Sequence, residues 1–413
     1  MVSKHRFAMD IGSTVIKLAK LDSDSSIVSQ QFFERDFDTG IPDQVDSILS
    51  ATDGYEDNME LLICSSANGG LRVGILCLSR YFSGAALRNE VLLAGANPVY
   101  LYEFDENKSS SAPVDILVIG GGIDCEDCGP LLRRIDALDF GRFAFRTLMY
   151  AGNKHAESAL VKRHPDVHVV PNPMDETLTS PRNTVFEAVR DAYLADLVHK
   201  EGISELGRIC RGGVRPTPEV VNHGFQRGVS NRSTFDLTGA SIVIDIGGAT
   251  TDLHYTVEII REDSADRPLP RSSVGRYVFT DLGIVASRDS ALAQMRAHPR
   301  LYEFLSVVLD SDVRNTYRSL REGEYSPPQF LLSYGCLFLT LERFSRGRGP
   351  GLPSGNLNKI SNVVLTGGAA QLLELDTAER LLGLISNDKF AKPRVRTDSD
   401  YRLWVDGITW DHE

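Results

Sequence analysis

The chain has 413 residues, room for two to three domains of about 150 residues each. Hydrophobic residues make up 42% and charged residues 24%, an ordinary globular composition that can build a sizeable core. The net charge of −12 argues against a general nucleic-acid or membrane-surface binder, and no apolar stretch approaches the roughly 20 residues of a membrane span. Met1–Arg6 runs into a strand without a signal peptide, so six free thiols in a cytoplasmic protein are expected.

Residues 7–35 read as three strands. The stretch 7–17, F-A-M-D-I-G-S-T-V-I-K, has an apolar strand tipped by Asp10. Gly12 and the hydroxyls Ser13 and Thr14 follow, then a returning strand carrying Lys17. Residues 41–52 predict a helix with Val45, Ile48 and Leu49 on one face. Residues 61–64 predict a strand. The small-residue loop S-S-A-N-G-G-L-R over 65–72 follows, at a strand end where α/β ligands usually sit. A helix over 79–96 and a strand over 98–104 come next, and the serine-rich 106–113 reads as a linker.

A new unit is expected from residue 114. D-I-L-V-I-G-G-G (115–122) leads to Asp124, then a helix, a strand at 146–150, A-G-N (151–153) and a strand at 167–170. Strand–glycine loop–helix units in succession predict a small parallel α/β unit. Cys125 and Cys128 form a lone C-x-x-C, which cannot close a four-ligand zinc site, so they read as ordinary thiols. The nine histidines show no metal-type pair beyond His164 and His168. Helices are expected over 182–206, and R-G-G-V-R-P-T-P (211–218) reads as a proline-stiffened connection between helices.

The stretch 241–252, S-I-V-I-D-I-G-G-A-T-T-D, repeats the first pattern. An apolar strand ends in Asp245, Gly247 and Gly248 make the turn, and Thr250 and Thr251 supply hydroxyls. Such a turn can present main-chain amides to a phosphate while the carboxylate holds the accompanying metal. A Gly-Gly hairpin is also an ordinary turn; what lifts the reading is that the pattern occurs twice, which predicts two related halves facing across a cleft. Further on, a strand ends at T-D-L-G (280–283), and helices are expected over 286–310 and 329–344. V-V-L-T-G-G-A-A (363–370) gives a strand, the pair Gly367–Gly368, Ala369 and a helix start where amides point outward. The tail over 376–413 predicts a helix and an aromatic-bearing segment.

These loops, in this order and over about the whole chain, resemble the accessory proteins of glutamate mutase, MutL- or GlmL-like members of the actin, Hsp70 and sugar-kinase ATPase superfamily. S-S-A-N-G-G-L-R and D-I-G-G-A-T-T-D are the most specific parts. The resemblance implies an α/β protein of two ribonuclease-H-like (actin-like ATPase) halves facing across a nucleotide cleft. The halves would be 1–113 and 236–413, with an inserted α/β and helical domain at 114–235. It implies an ATP-binding and ATP-hydrolysing chaperone-like factor that reactivates a coenzyme-B12-dependent mutase, and leaves oligomerisation open. On that reading Asp10 and Asp245 position Mg2+, mostly through water. Gly12, Ser13 and Thr14 hold ATP phosphates from one side, and Gly247, Gly248, Thr250 and Thr251 from the other. Gly367, Gly368 and Ala369 leave room for adenosine. Lys17 either neutralises phosphate charge or lies on a solvated face. Asp124 either orients the attacking water or caps a helix. A small-molecule kinase of the same fold, or a hydantoinase-like hydrolase, is the competing expectation.

Overall fold

The computed structural model describes residues 6–409 apart from 13, 37, 57–58, 67–70, 107, 175–183, 202–205, 208, 211–212, 234, 265–272, 350–351 and 387–392. Ser13, Arg211 and Gly212 therefore lie outside the described residues, as does the centre of S-S-A-N-G-G-L-R. Contacts divide the chain into two compact units. The first gathers described residues of 1–223, 265–273 and 404–413, and the second gathers Gly224–Ser264 and Val274–Leu403.

The first unit opens on the expected three strands: β1 Arg6–Ile11, β2 Val15–Leu21 and β3 Ile27–Glu34. β1 is buried from Phe7 to Ile11, because it pairs on both sides, antiparallel with β2 and parallel with β4 Glu60–Ser65. The helix Ile41–Ser50 buries Ile41, Val45, Ile48 and Leu49, a stripe at helical spacing, in the same core as Phe7, Met9 and Ile63.

The next five strands form a separate sheet: β5 Arg72–Cys77, β6 Asn97–Glu103, β7 Ser110–Gly120, β8 Phe143–Tyr150 and β9 His168–Val169. Every pairing is parallel and the order is β6-β5-β7-β8-β9, a doubly wound arrangement. Ile116 to Ile119 are all buried, as a strand covered on both faces requires. The boundary expected at 113/114 falls inside β7, and β5 and β6 come from the stretch assigned to the first half. The polar run Ser110–Pro113 reads as a linker by composition. Parallel pairing with β8 makes it a strand, with Ser110 opposite Phe143 and an irregular register up to Val114.

R-G-G-V-R-P-T-P also departs from its reading as a connection between helices. Val214–Pro216 is β10, parallel to β4, and Thr217 opens the helix Thr217–Val229. Pro216 ends an edge strand and Pro218 sits in the helix's first turn, two places where a missing N–H costs nothing. The first sheet is thus β10-β4-β1-β2-β3. The expected helix over 79–96 begins as a π-helical turn, Arg80–Gly84, before the α-helix Ala85–Leu93.

The second unit holds β11 Ser241–Ile246, β12 Thr251–Thr256, β13 Val274–Phe279, β14 Asn362–Thr366 and β15 Arg394–Thr397, in the order β13-β12-β11-β14-β15. β11 is antiparallel to β12 and parallel to β14, as β1 is to β2 and β4. β15 was not legible in the tail, where Arg394, Arg396 and Thr397 alternate with a single buried Val395. The helix Gln329–Arg346 runs through the core of this unit, buried from Leu331 to Glu342. Truncating one of its buried leucines costs about 2–5 kcal/mol by cavity formation. Among the described residues no helix is long and apolar enough to cross a membrane.

Candidate functional site

Each unit builds one carboxylate-tipped hairpin at the end of its central strand. In the first, Asp10 is 1% exposed. Register places Lys17 directly across from it, and the Lys17 ammonium lies 2.7 Å from Asp10 Oδ2. Lys17 is therefore the counterion of Asp10, and its solvated-face reading does not hold. Thr217 Oγ1 donates to Asp10 Oδ1 at 2.6 Å, and Cys64 Sγ approaches the same oxygen at 3.4 Å. Burial, then the neighbouring Asp10 charge, pushes the Cys64 thiol well above its ordinary range, so it stays a neutral donor.

The turn itself is closed by Gly12 N donating to Val15 O at 3.0 Å. A Cβ on Gly12 would lie 2.7 Å from that carbonyl, so only glycine fits. Arg35 fastens the turn from β3's end: its amide donates to Thr14 O at 2.9 Å and Nη1 to Gly12 O at 3.2 Å. Thr217 and Arg35 were not singled out from sequence; no local pattern links them to Asp10.

The second hairpin repeats the construction. Gly247 N donates to Thr250 O at 2.9 Å. Asp245 stands across from Asp252 and beside Thr366 of β14. The segment after T-D-L-G supports the turn from behind: Val285 and Ala286 amides donate to Gly248 O at 2.8 and 2.9 Å, and Ser287 Oγ to Ala249 O at 2.7 Å. A side chain on Gly283 would meet Ala249 at 2.5 Å. Thr250 is part-exposed, and its hydroxyl lies 3.2 Å from Asp252 Oδ2. Thr251, expected among the phosphate donors, is fully buried and donates its hydroxyl to Leu282 O at 2.9 Å, so it holds the hairpin to its support.

Gly367 and Asp245 are brought together. Gly367 has φ +87°, and a Cβ there would sit 2.2 Å from Asp245 Oδ1 and 2.6 Å from Ile246 O. Glycine is required on both counts. Around Gly368 a Cβ would meet nothing within 4 Å, so the loop is open on that side. Ala369 is 1% exposed and packs in the core. Behind the hairpin the buried Arg276 pairs with Asp252, Nε to Oδ1 at 2.9 Å. Its charge, after burial, keeps the neighbouring His254 far below the ordinary histidine range.

Asp124 lies in the loop after β7. Its Oδ1 accepts from the Lys154 amide at 3.0 Å and from Asn172 Nδ2 at 3.2 Å, which ties together the loops after β7, β8 and β9. The following helix, Gly129–Asp136, has Cys128 at its cap position, so Asp124 is not that helix's cap. Cys125 is exposed and Cys128 part-buried, and all six cysteines are free. Among the described residues no three His, Cys, Asp or Glu side chains gather as a metal site.

Two sheets with strands ordered 3-2-1-4-5, each ending its central strand in a carboxylate before a glycine turn, define the actin-like ATPase fold. A family model described as MutL protein matches residues 6–327, and the chain belongs to the MutL family. It is 26% identical over 306 residues to Protein MutL of Clostridium tetanomorphum, covering 70% of this chain and 65% of that relative's length. Solved structures with distant likeness include component A of the (R)-2-hydroxyglutaryl-CoA dehydratase of Acidaminococcus fermentans, at TM-score 0.38 and 11% identity, covering 99% of this chain and 97% of that one. Another is a ROK family glucokinase from Streptomyces griseus in complex with glucose and AMPPNP, at TM-score 0.36 and 11% identity, with 98% of each chain covered. The strand order, not these likenesses, carries the fold assignment.

Proposed function

We propose that the chain binds ATP with Mg2+ through both hairpins, hydrolyses it, and works in the cytoplasm as an accessory factor of a coenzyme-B12-dependent mutase of the glutamate mutase type. The observation that carries the nucleotide reading is the duplicated turn: Asp, then Gly two residues on, with the glycine amide closing onto the carbonyl three residues later. Turns of this kind present further amides and hydroxyls outward, the donors that an acidic protein needs to hold polyphosphate. Gly12, Thr14, Gly247, Gly248 and Thr250 supply them in this reading, and Gly367 with Gly368 forms the adenosine-side wall.

Carboxylate oxygens suit Mg2+, which when bound would neutralise phosphate charge. Asp245, part-exposed beside the open Gly367–Gly368 loop, fits a water-mediated ligand. Asp10 fits less directly, since Lys17 and Thr217 already occupy its oxygens; the Asp10–Lys17 pair is better placed to set the charge of the turn. Asp124 as the water-orienting group remains part of the proposal. The mutase client rests on family membership and on the resemblance of the loops.

The test measures Mg-ATP affinity and phosphate release, with ATP alone and with candidate acceptors. Asp245→Ala should lower affinity or turnover at least tenfold with far-ultraviolet dichroism unchanged. Turnover equal to the parent's would reject the site, and phosphate release that requires an acceptor would replace the chaperone by a kinase.

A further inference from the structure

The second unit contains a cavity of about 310 Å3 that the hairpin reading does not use. Arg261, Arg300, Ser345, Arg346, Asn356 and Ser386 are among its lining residues. Its lining includes no residue of either hairpin or of the Gly367–Gly368 loop. Much of the lining falls past residue 327, where the family match ends.

Its charge is the anomaly. Arg261 is exposed, and its guanidinium has no partner among the described residues. Arg300 is held in place by Glu303, at 2.7 Å, and by Leu384 O, at 3.0 Å. Arg346 pairs with the buried Glu342 at 2.9 Å, a carboxylate that Arg348 also approaches, at 3.9 Å. His298 lies 3.7 Å from the same carboxylate, but burial lowers its pKa, which favours the neutral ring. Three arginines of the lining thus meet two carboxylates, Glu303 and Glu342, in a chain whose net charge is −12. Arg300 and Arg346 have carboxylate partners and Arg261 has none among the described residues, so the space keeps an excess of positive charge that an entering anion would offset. Planar guanidinium forks match carboxylate and phosphate oxygens two bonds at a time, and Ser345, Asn356 and Ser386 add neutral polar groups. The volume sits at the lower end of the roughly 300–1,000 Å3 range of small-molecule clefts.

We propose that this cavity binds a small, multiply charged anion bearing phosphate or carboxylate groups, at a site separate from the hairpins. The experiment is calorimetric titration of the full chain with pyrophosphate and, separately, citrate, at fixed ionic strength with chloride as control. At least one anion should bind saturably at one-to-one stoichiometry. Arg261→Gln, a change on the surface, should weaken that binding tenfold or more, whereas Asp245→Ala should leave it unchanged. The preferred anion identifies the phosphate or the carboxylate class. No saturable binding of either anion would overturn the proposal. So would equal affinity in Arg261→Gln, or binding lost in Asp245→Ala and kept in Arg261→Gln, which would assign the anion to the hairpin.

Discussion

The two hairpins share a backbone and differ in how they treat charge. Gly12 and Gly247 close the same turn, at 3.0 and 2.9 Å, two residues after an aspartate that ends a central strand. Across from Asp10 stands Lys17, and the pair neutralises itself within the hairpin. Across from Asp245 stands a second carboxylate, Asp252. Like charges facing each other across a strand pair are unfavourable. The second unit resolves this by reaching to its next strand, where Arg276 of β13 takes Asp252. The first sheet therefore sets a lysine across from its turn aspartate, and the second sets an arginine of the next strand against the residue across from its own. The backbone turn is the common element, and the place of the cation is what differs.

The largest effect is expected where the comparison leans on a buried cation. Arg276→Met removes a side chain that is 2% exposed and leaves Asp252 inside the sheet without its partner. Losing one partner of a buried pair typically costs about 3–5 kcal/mol. Urea denaturation should show a loss of that size, and a loss below about 1 kcal/mol would mean Asp252 does not need Arg276. Lys17→Met should cost less, about 2–3 kcal/mol, because the lysine is 17% exposed and Thr217 still bonds Asp10. Adding Asp10→Asn should restore part of that loss. A double variant as unstable as the sum of the single changes would show the pair to be uncoupled.

What could be read in advance follows the range of the interactions. Each Asp-Ile-Gly turn is complete within a few residues, so strand, carboxylate and glycine stand together in the chain. Gly367 was legible for the same reason, although only the folded sheet shows that Asp245 fills the place of its missing Cβ. The partners that set the charge were not legible. Thr217 lies 207 positions from Asp10, and Arg276 lies 24 from Asp252, where no periodicity connects them. Thr251 misled for a related reason: a hydroxyl beside a glycine turn looks available until the T-D-L-G loop folds behind it. The proline-rich 211–218 segment hid a strand, because proline at a strand's last position and in a helix's first turn is compatible with both elements.

The smallest effect separates the hairpins by their response to acid. Two residues past Asp252 the second hairpin carries His254, 1% exposed; the matching place two residues past Lys17 is Ala19. Burial, and then Arg276, holds His254 far below its ordinary range, so it is neutral in the folded protein. The unfolded chain takes up a proton near pH 6.5 and the folded chain does not. More protons bound on unfolding means stability that is complete above about pH 6.5 and falls as pH drops below it, by at most about 1.4 kcal/mol per unit for one group. Hydrogen exchange at pH 7.5 and 5.5 should therefore show β11 and β12 losing protection before β1 and β2. His254→Leu should flatten that part of the pH dependence. Equal acid sensitivity in both hairpins, or an unchanged slope in the variant, would place the titrating group elsewhere and leave the two turns alike in their response to protons.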